Sequence, residues 1–144
     1  MTPISNILVV DDNAFYRNGI ITTLNRFPFI KVKGHFPNGT DCLKALKNVD
    51  YLLIDIRIPG LNGLETAKKA IQIKPKTKII AMIDFIEDTH IEKIFKFRFF
   101  SGVLLKSIDS EGMKYALLNI INGKKFYSPE LMSVLTERQR NRVC

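Results

Sequence analysis

Short, almost wholly apolar runs alternate along this chain with longer stretches in which apolar residues recur every three or four positions. Ile7–Val10, Tyr51–Ile54, Lys78–Ile83 and Val103–Leu105 are runs of the first kind, and they predict short strands buried on both faces. Ile30–Phe36 differs, because apolar and basic residues alternate there as they do on an edge strand. The stretches between predict helices. Ala14–Arg26 has Asn13 as its cap, Phe15, Ile20, Ile21 and Leu24 facing inward, and Pro28 to forbid continuation. After the Asn38-Gly39 turn, Thr40–Val49 is expected to bury Leu43, Leu46 and Val49. Gly63–Lys74 is capped by Asn62, turns Leu64, Ala67 and Ile71 inward, and stops at Pro75. Asp88–Phe99 would bury Ile91, Ile94 and Phe95, and Ser101-Gly102 would turn into the strand that follows. From Ser110 or Glu111 to Asn122-Gly123, residues Met113, Ala116, Leu117, Ile120 and Ile121 trace one apolar helical stripe. A last short helix is expected from Pro129 to about Arg138, with Ser128 as its cap.

Five apolar strands alternating with five helices predict an α/β fold, a parallel sheet covered on both faces. Such sheets bind ligands outside the carboxyl ends of their strands. That rim is where this chain carries its chemistry. Asp11 and Asp12 close the first strand, Asp55 closes the third ahead of the Pro59-Gly60 and Asn62-Gly63 turns, and Lys106 closes the fifth. Two adjacent acids, a third carboxylate and a loop carbonyl suit a hard cation such as Mg²⁺, which prefers oxygen ligands. Asp55 would then be an exposed nucleophile toward a phosphoryl group, with Lys106 as a point charge on a phosphoryl oxygen. Each residue alone has a plain structural explanation: a capping turn for Asp11-Asp12, an anion near the next helix for Asp55, a solvated lysine at 106. Their joint placement at three tips of one sheet favours chemistry.

At 144 residues the chain holds one full core. Its apolar fraction of 46% and charged fraction of 25% are ordinary for a globular protein. No apolar run is long enough to cross a bilayer, and the N-terminus does not read as a secretion signal, so no membrane partner is expected. Cys42 and Cys144 lie far apart and read as free thiols in a reducing cytoplasm. The formal charge of +8 suits work near nucleic acid or an acidic partner, yet no compact basic run with interleaved aromatics supports direct nucleic-acid contact. After Gly123 the composition turns polar and Arg-rich, so residues 1–123 read as the domain and 124–144 as a short helix and linker, one end of a longer protein.

Three motifs together, Val9-Val10-Asp11-Asp12-Asn13, Leu53-Ile54-Asp55-Ile56-Arg57-Ile58-Pro59-Gly60-Leu61-Asn62-Gly63-Leu64-Glu65 and Gly102-Val103-Leu104-Leu105-Lys106, resemble the receiver domain of two-component response regulators over about residues 5–123. The resemblance implies a flavodoxin-like (βα)5 fold with strand order 2-1-3-4-5, the order for which a response regulator is itself a standard example. It further implies Asp55 as phosphoacceptor, Mg²⁺ held by Asp11, Asp12, Asp55 and the carbonyl of Arg57, and Lys106 as the phosphate-binding lysine. Lys106-Ser107, with no proline after the lysine, and Gly123-Lys124-Lys125-Phe126-Tyr127-Ser128-Pro129-Glu130-Leu131 resemble the NarL/LuxR-type subfamily. The partners implied are a histidine kinase and, through a C-terminal DNA-binding domain outside this chain, DNA. A weak symmetric homodimer is the candidate assembly. The implied role is a signalling phosphoacceptor rather than a classical enzyme.

Two positions depart from the family pattern. Counting back from Lys106, the place of the usual Thr or Ser falls at Asp84, or at Ile83 if the register slips, and the usual Tyr or Phe of the fifth strand is Val103. Asp84 either points into the site, adding a fourth carboxylate and competing for Lys106, or begins a loop and faces solvent. An atypical receiver that acts as a phosphorylation-independent interaction module is therefore the alternative. An aspartate-based phosphatase would want an acid where Arg57 stands, and no phosphate loop for a flavin follows the first strand. Phe95, Phe97, Phe99 and Phe100, with Lys96 and Arg98 between them, form either a partner surface or a thick local core.

Overall fold

The computed structural model describes residues 3–57, 62–84, 94, 96–97 and 99–132. Six strands form one sheet: β1 (Ser5–Val10), β2 (Ile30–Phe36), β3 (Tyr51–Asp55), β4 (Lys78–Ile83), β5 (Phe100–Leu105) and β6 (Phe126–Tyr127), in the order β2-β1-β3-β4-β5-β6. All pairings are parallel. Successive side chains of a strand point to opposite faces, and the core divides accordingly. Leu8, Val10, Leu52, Ile54, Ile79, Ala81 and Val103 face one layer, which also holds Cys42, Leu64 and Ala67. Ile7, Val9, Leu53, Ile80, Met82 and Leu104 face the other, beneath Ile20, Leu24, Met113 and Leu117. The unbroken apolar runs in the sequence are the mark of strands that serve two cores at once.

The helices described over their whole span are α1 (Ala14–Leu24), α2 (Gly39–Leu43), α3 (Gly63–Ile73) and α4 (Ser110–Ile121). Asn13, Asn38, Asn62 and Asp109 cap them, each accepting from the backbone N–H three residues on. Within α4 the expected stripe of Met113, Ala116, Leu117 and Ile120 is buried.

Several expectations are corrected. Phe15 is 91% exposed rather than inward, because the inward stripe of α1 runs through Tyr16, Ile20 and Leu24 at four-residue steps and Phe15 lies one position off it. α2 ends at Leu43, not Val49. Lys44 and Ala45 donate to the carbonyls of Asp41 and Cys42 in tight three-residue turns, and Asn48 adopts a left-handed φ of 61°. Leu46 and Val49 are buried all the same, since a three-residue spacing serves tight turns as well as a helix. β5 starts at Phe100, three residues early. Ser101-Gly102 is part of the strand, with Ser101 as the extra residue where the pairing slips between Ile79↔Phe100 and Ile80↔Gly102. The expected Asp88–Phe99 helix falls mostly outside the described residues, as does Phe95. Phe100 is buried, while Phe97 and Phe99 pack partly buried on the core with the Lys68 ammonium 4.4 Å from the Phe97 ring centre, which favours the core reading for these three.

The segment after Gly123 packs on the sheet. β6 pairs with β5, Ser128 N–H donates to the Val103 carbonyl at 3.0 Å, and Leu131 is fully buried. The expected terminal helix begins at Pro129, directly after Ser128, and the Ser128 hydroxyl oxygen also accepts from the buried Leu105 N–H at 2.9 Å. Residues beyond 132, including the rest of the expected terminal helix and Cys144, lie outside the described residues.

Ser128→Ala removes the acceptor of a buried backbone donor, so it should lower unfolding stability by about 1–3 kcal/mol. Urea denaturation of the two proteins at equal pH checks this.

Candidate functional site

The strand order reverses between β1 and β3, and the tips of β1, β3, β4 and β5 line one rim there. Asp55 is the last residue of β3, while Asp11, Asp84 and Lys106 each directly follow β1, β4 and β5. The structure thus brings Asp11, Asp12, Asp55, Asp84 and Lys106 together. Asp55 is buried, 3% exposed, rather than the exposed nucleophile expected, because its carboxylate closes onto the Lys106 ammonium, and it and the buried Asp11 are held in the same way. Asp11 Oδ1 accepts from the Asn13 N–H and Asp55 Oδ1 from the Arg57 N–H, both at 2.9 Å. Their other oxygens meet on one ammonium: Lys106 Nζ lies 2.7 Å from Asp11 Oδ2 and 2.9 Å from Asp55 Oδ2. Carboxylate oxygens of Asp11, Asp12 and Asp55 all lie within 4.8 Å of one another, with Asp12 the exposed member. Asp84 resolves the two placements left open by the sequence into one of its own. It sits at the rim with its side chain 37% exposed, yet Oδ1 is 3.8 Å from Lys106 Nζ.

Local sequence explains the scaffold. Gly63 donates its N–H to the Ile56 carbonyl at 3.1 Å. A Cβ at 63 would collide with the Asp55 carbonyl and the Ile56 backbone, so only glycine lets α3 start this close to the acid. Arg17 Nη1 donates to the Asp11 carbonyl at 2.6 Å and Asp11 N–H donates to Phe36 O at 3.1 Å, which fixes the first tip between α1 and β2. Val103 is fully buried in the core, three residues below Lys106.

Electrostatics follow from crowding. Burial raises the Asp11 pKa above its ordinary 3.8, against the Lys106 contact and the Asn13 N–H that lower it, and the Asp55 charge adds to the rise. For Lys106, burial works against the ammonium, but the Asp11 and Asp55 carboxylates outweigh it and raise its pKa, so the ammonium is charged. Sequence reasoning missed Tyr16. Its hydroxyl donates to the Lys106 carbonyl at 3.2 Å, and the Lys106 ammonium lies 4.6 Å from its ring centre. Burial first, then the charges of Asp11, Asp55 and Asp84, push the phenol far above its ordinary pKa, so it stays a neutral donor. The available signal was position: four residues beyond Asp12, within the first turn of α1.

With fold and rim in view, the class is set: the response regulator receiver domain family matches residues 7–118, and the chain belongs to it. In sequence it is similar to the response regulator GacA of Pseudomonas aeruginosa, 29% identical over 131 residues, covering 90% of this chain and 61% of that protein. It is also similar to the nitrate/nitrite response regulator protein NarL of Escherichia coli, 29% identical over 140 residues, covering 94% of this chain and 63% of that one. The chain therefore spans less than two thirds of the length of these relatives. In fold it matches a two-component response regulator of the LuxR family from Aurantimonas, with TM-score 0.86 at 22% identity, over 94% of this chain and 98% of that one.

Because burial makes the folded protein bind a proton at Asp11 more tightly than the unfolded chain does, the Asp11 contribution to stability falls as pH rises through and above about 3.8. In metal-free buffer, Asp11→Asn should therefore gain stability relative to the parent as pH is raised from about 4 toward neutral. Denaturation midpoints across that range check the sign.

Proposed function

We propose that this chain is a phospho-accepting receiver in which Asp55 takes a phosphoryl group from a histidine kinase. The observation that carries the reading is the single Lys106 ammonium bridging Asp11 and Asp55 at a shared rim. In the transfer, an Asp55 oxygen forms a bond to phosphorus, the bond between phosphorus and the donor histidine nitrogen breaks, and the imidazole leaves with that electron pair. Lys106 would release its hold on Asp55 Oδ2 and pair with a phosphoryl oxygen, supplying charge where negative charge gathers. The Arg57 N–H holds the other Asp55 oxygen and so orients the attacking one.

The oxygen-only, crowded set of Asp11, Asp12 and Asp55 fits a hard divalent cation, since three carboxylates face one ammonium. Asp11, Asp12, Asp55 and the Arg57 carbonyl would hold Mg²⁺, whose charge would offset that of the incoming group. Asp84 and Val103 stand at the positions of the usual switch pair. Val103 has no hydroxyl or ring to reorient, so a conformational signal would travel by another route. The intact Asp11–Lys106–Asp55 bridge weighs against a module independent of phosphorylation. As in the family generally, the role is signalling, with any phosphotransfer or dephosphorylation self-catalysed. The chain would work in the cytoplasm as the input part of a transcription regulator. Residues 124–144 would lead toward a DNA-binding domain, and a homodimer would be the assembly controlled. No helix among the described residues is long and apolar enough to cross a membrane.

Incubated with a small phosphodonor and Mg²⁺, the protein should gain the mass of one phosphoryl group, and Asp55→Asn should gain none. Labelling that persists in Asp55→Asn would overturn the assignment. The Asp84 carboxylate should slow the reaction. Two unit charges about 4 Å apart repel by roughly 1 kcal/mol in water and about 4 at an effective dielectric of 20, and the exposed position puts Asp84 near the lower figure. Asp84→Ala should accordingly accept phosphoryl about fivefold faster, read as the rate of mass gain at fixed donor.

A further inference from the structure

Lys106 is pinned at both ends of its own residue. Its N–H donates to the Ile83 carbonyl at 2.8 Å, tying it to β4. Its carbonyl accepts from the Tyr16 hydroxyl at 3.2 Å, tying it to α1 across 90 positions of sequence. The Lys106 ammonium stands over the Tyr16 ring, 4.6 Å from its centre. A cation over an aromatic face is attracted by the ring quadrupole. Three carboxylates surround the same ammonium, at 2.7 Å (Asp11), 2.9 Å (Asp55) and 3.8 Å (Asp84).

The contacts close a circuit. The Asp11 carboxylate accepts from Asn13 N–H at 2.9 Å, and the Asn13 side chain accepts from Tyr16 N–H at 2.9 Å. Tyr16 holds the Lys106 carbonyl, and Lys106 returns to the Asp11 carboxylate. The cap that starts α1 therefore fixes where the Tyr16 ring stands, and the ring limits where the lysine head can go. A lysine on a flexible four-carbon stem would otherwise divide its time among three acids. At a rim that already carries an extra carboxylate, this matters.

We propose that Tyr16 is a positioning residue for Lys106: its ring and hydroxyl together keep the ammonium beside the Asp55 carboxylate, where it can pass to an incoming phosphoryl oxygen, and so set the rate of phosphoryl acceptance. This rests on Asp55 being the phosphoacceptor. The neutral phenol suits the role, because a phenolate beside three carboxylates would compete for the ammonium it is meant to direct.

Tyr16→Phe keeps the ring and loses the hydroxyl; Tyr16→Leu loses both. Each is made alone and with Lys106→Ala, and Asp55 labelling by phosphoramidate with Mg²⁺ is followed by intact mass at saturating donor. Tyr16→Leu should slow labelling about tenfold and Tyr16→Phe less than about threefold, while in the Lys106→Ala background neither should change it further, as expected for residues that act through one another. The second readout needs no phosphorylation. Ring current should shift the Lys106 ε-methylene protons upfield in the parent and in Tyr16→Phe, but not in Tyr16→Leu. Equal slowing by Tyr16→Leu with and without Lys106, or the absence of the upfield shift in the parent, overturns the proposal. A parent protein that shows the shift but takes up no phosphoryl group overturns the phosphoacceptor reading instead.

Discussion

One ammonium shared by two buried carboxylates is the interaction on which this molecule turns. Lys106 reaches Asp11 and Asp55 from a strand that is not adjacent to either of theirs. The acids are buried, so leaving either without a partner would strand a charge in a poorly solvated place. With Asp12 and Asp84 beside them, negative charge still exceeds positive. That crowding of carboxylates is what raises the Asp11 pKa further above its ordinary value, on top of burial.

The scaffold around that bridge is rigid for reasons that are local and inexpensive. Parallel strands buried on both faces hold their tips in fixed register, and the strand order reverses where the first acid meets the second. Gly63 lets the helix after Asp55 start against its backbone. Asn13 and Asn62 close the first turns of the helices that follow the two acidic tips. Each side chain in the site therefore stands on an element whose position is set by packing elsewhere.

Much of this could be read from the chain. Ile7–Val10, Tyr51–Ile54 and Lys78–Ile83 are apolar without interruption, and such runs between capped helical stretches leave few topologies open. The strand-tip acids and Lys106 followed from connectivity, because parallel strands put all their carboxyl ends on one side. The misses have physical causes. The three-residue spacing of Leu43, Leu46 and Val49 fits tight turns and a helix alike. Phe15 and Tyr16 are neighbours of similar apolar bulk, and which faces inward depends on where the Asn13 cap sets the helix phase. The role of Ser128 lies in a contact with Leu105 across 23 positions, which no local pattern encodes. Tyr16 meets Lys106 across 90, and its part in the site is visible only in three dimensions.

The two borders of the sheet are finished differently. On one side β2 lays Lys31 and Lys33 out to solvent, and such charges discourage another chain from adding on. On the other side β5 is apolar along nearly its whole length and has no such guard. Its outer N–H and C=O groups are occupied by two residues of β6 and by Ser128. That short strap works as a selvedge: without it the Leu105 N–H and the Val103 carbonyl would stand unpaired beside Lys106, an open edge that another extended strand could join.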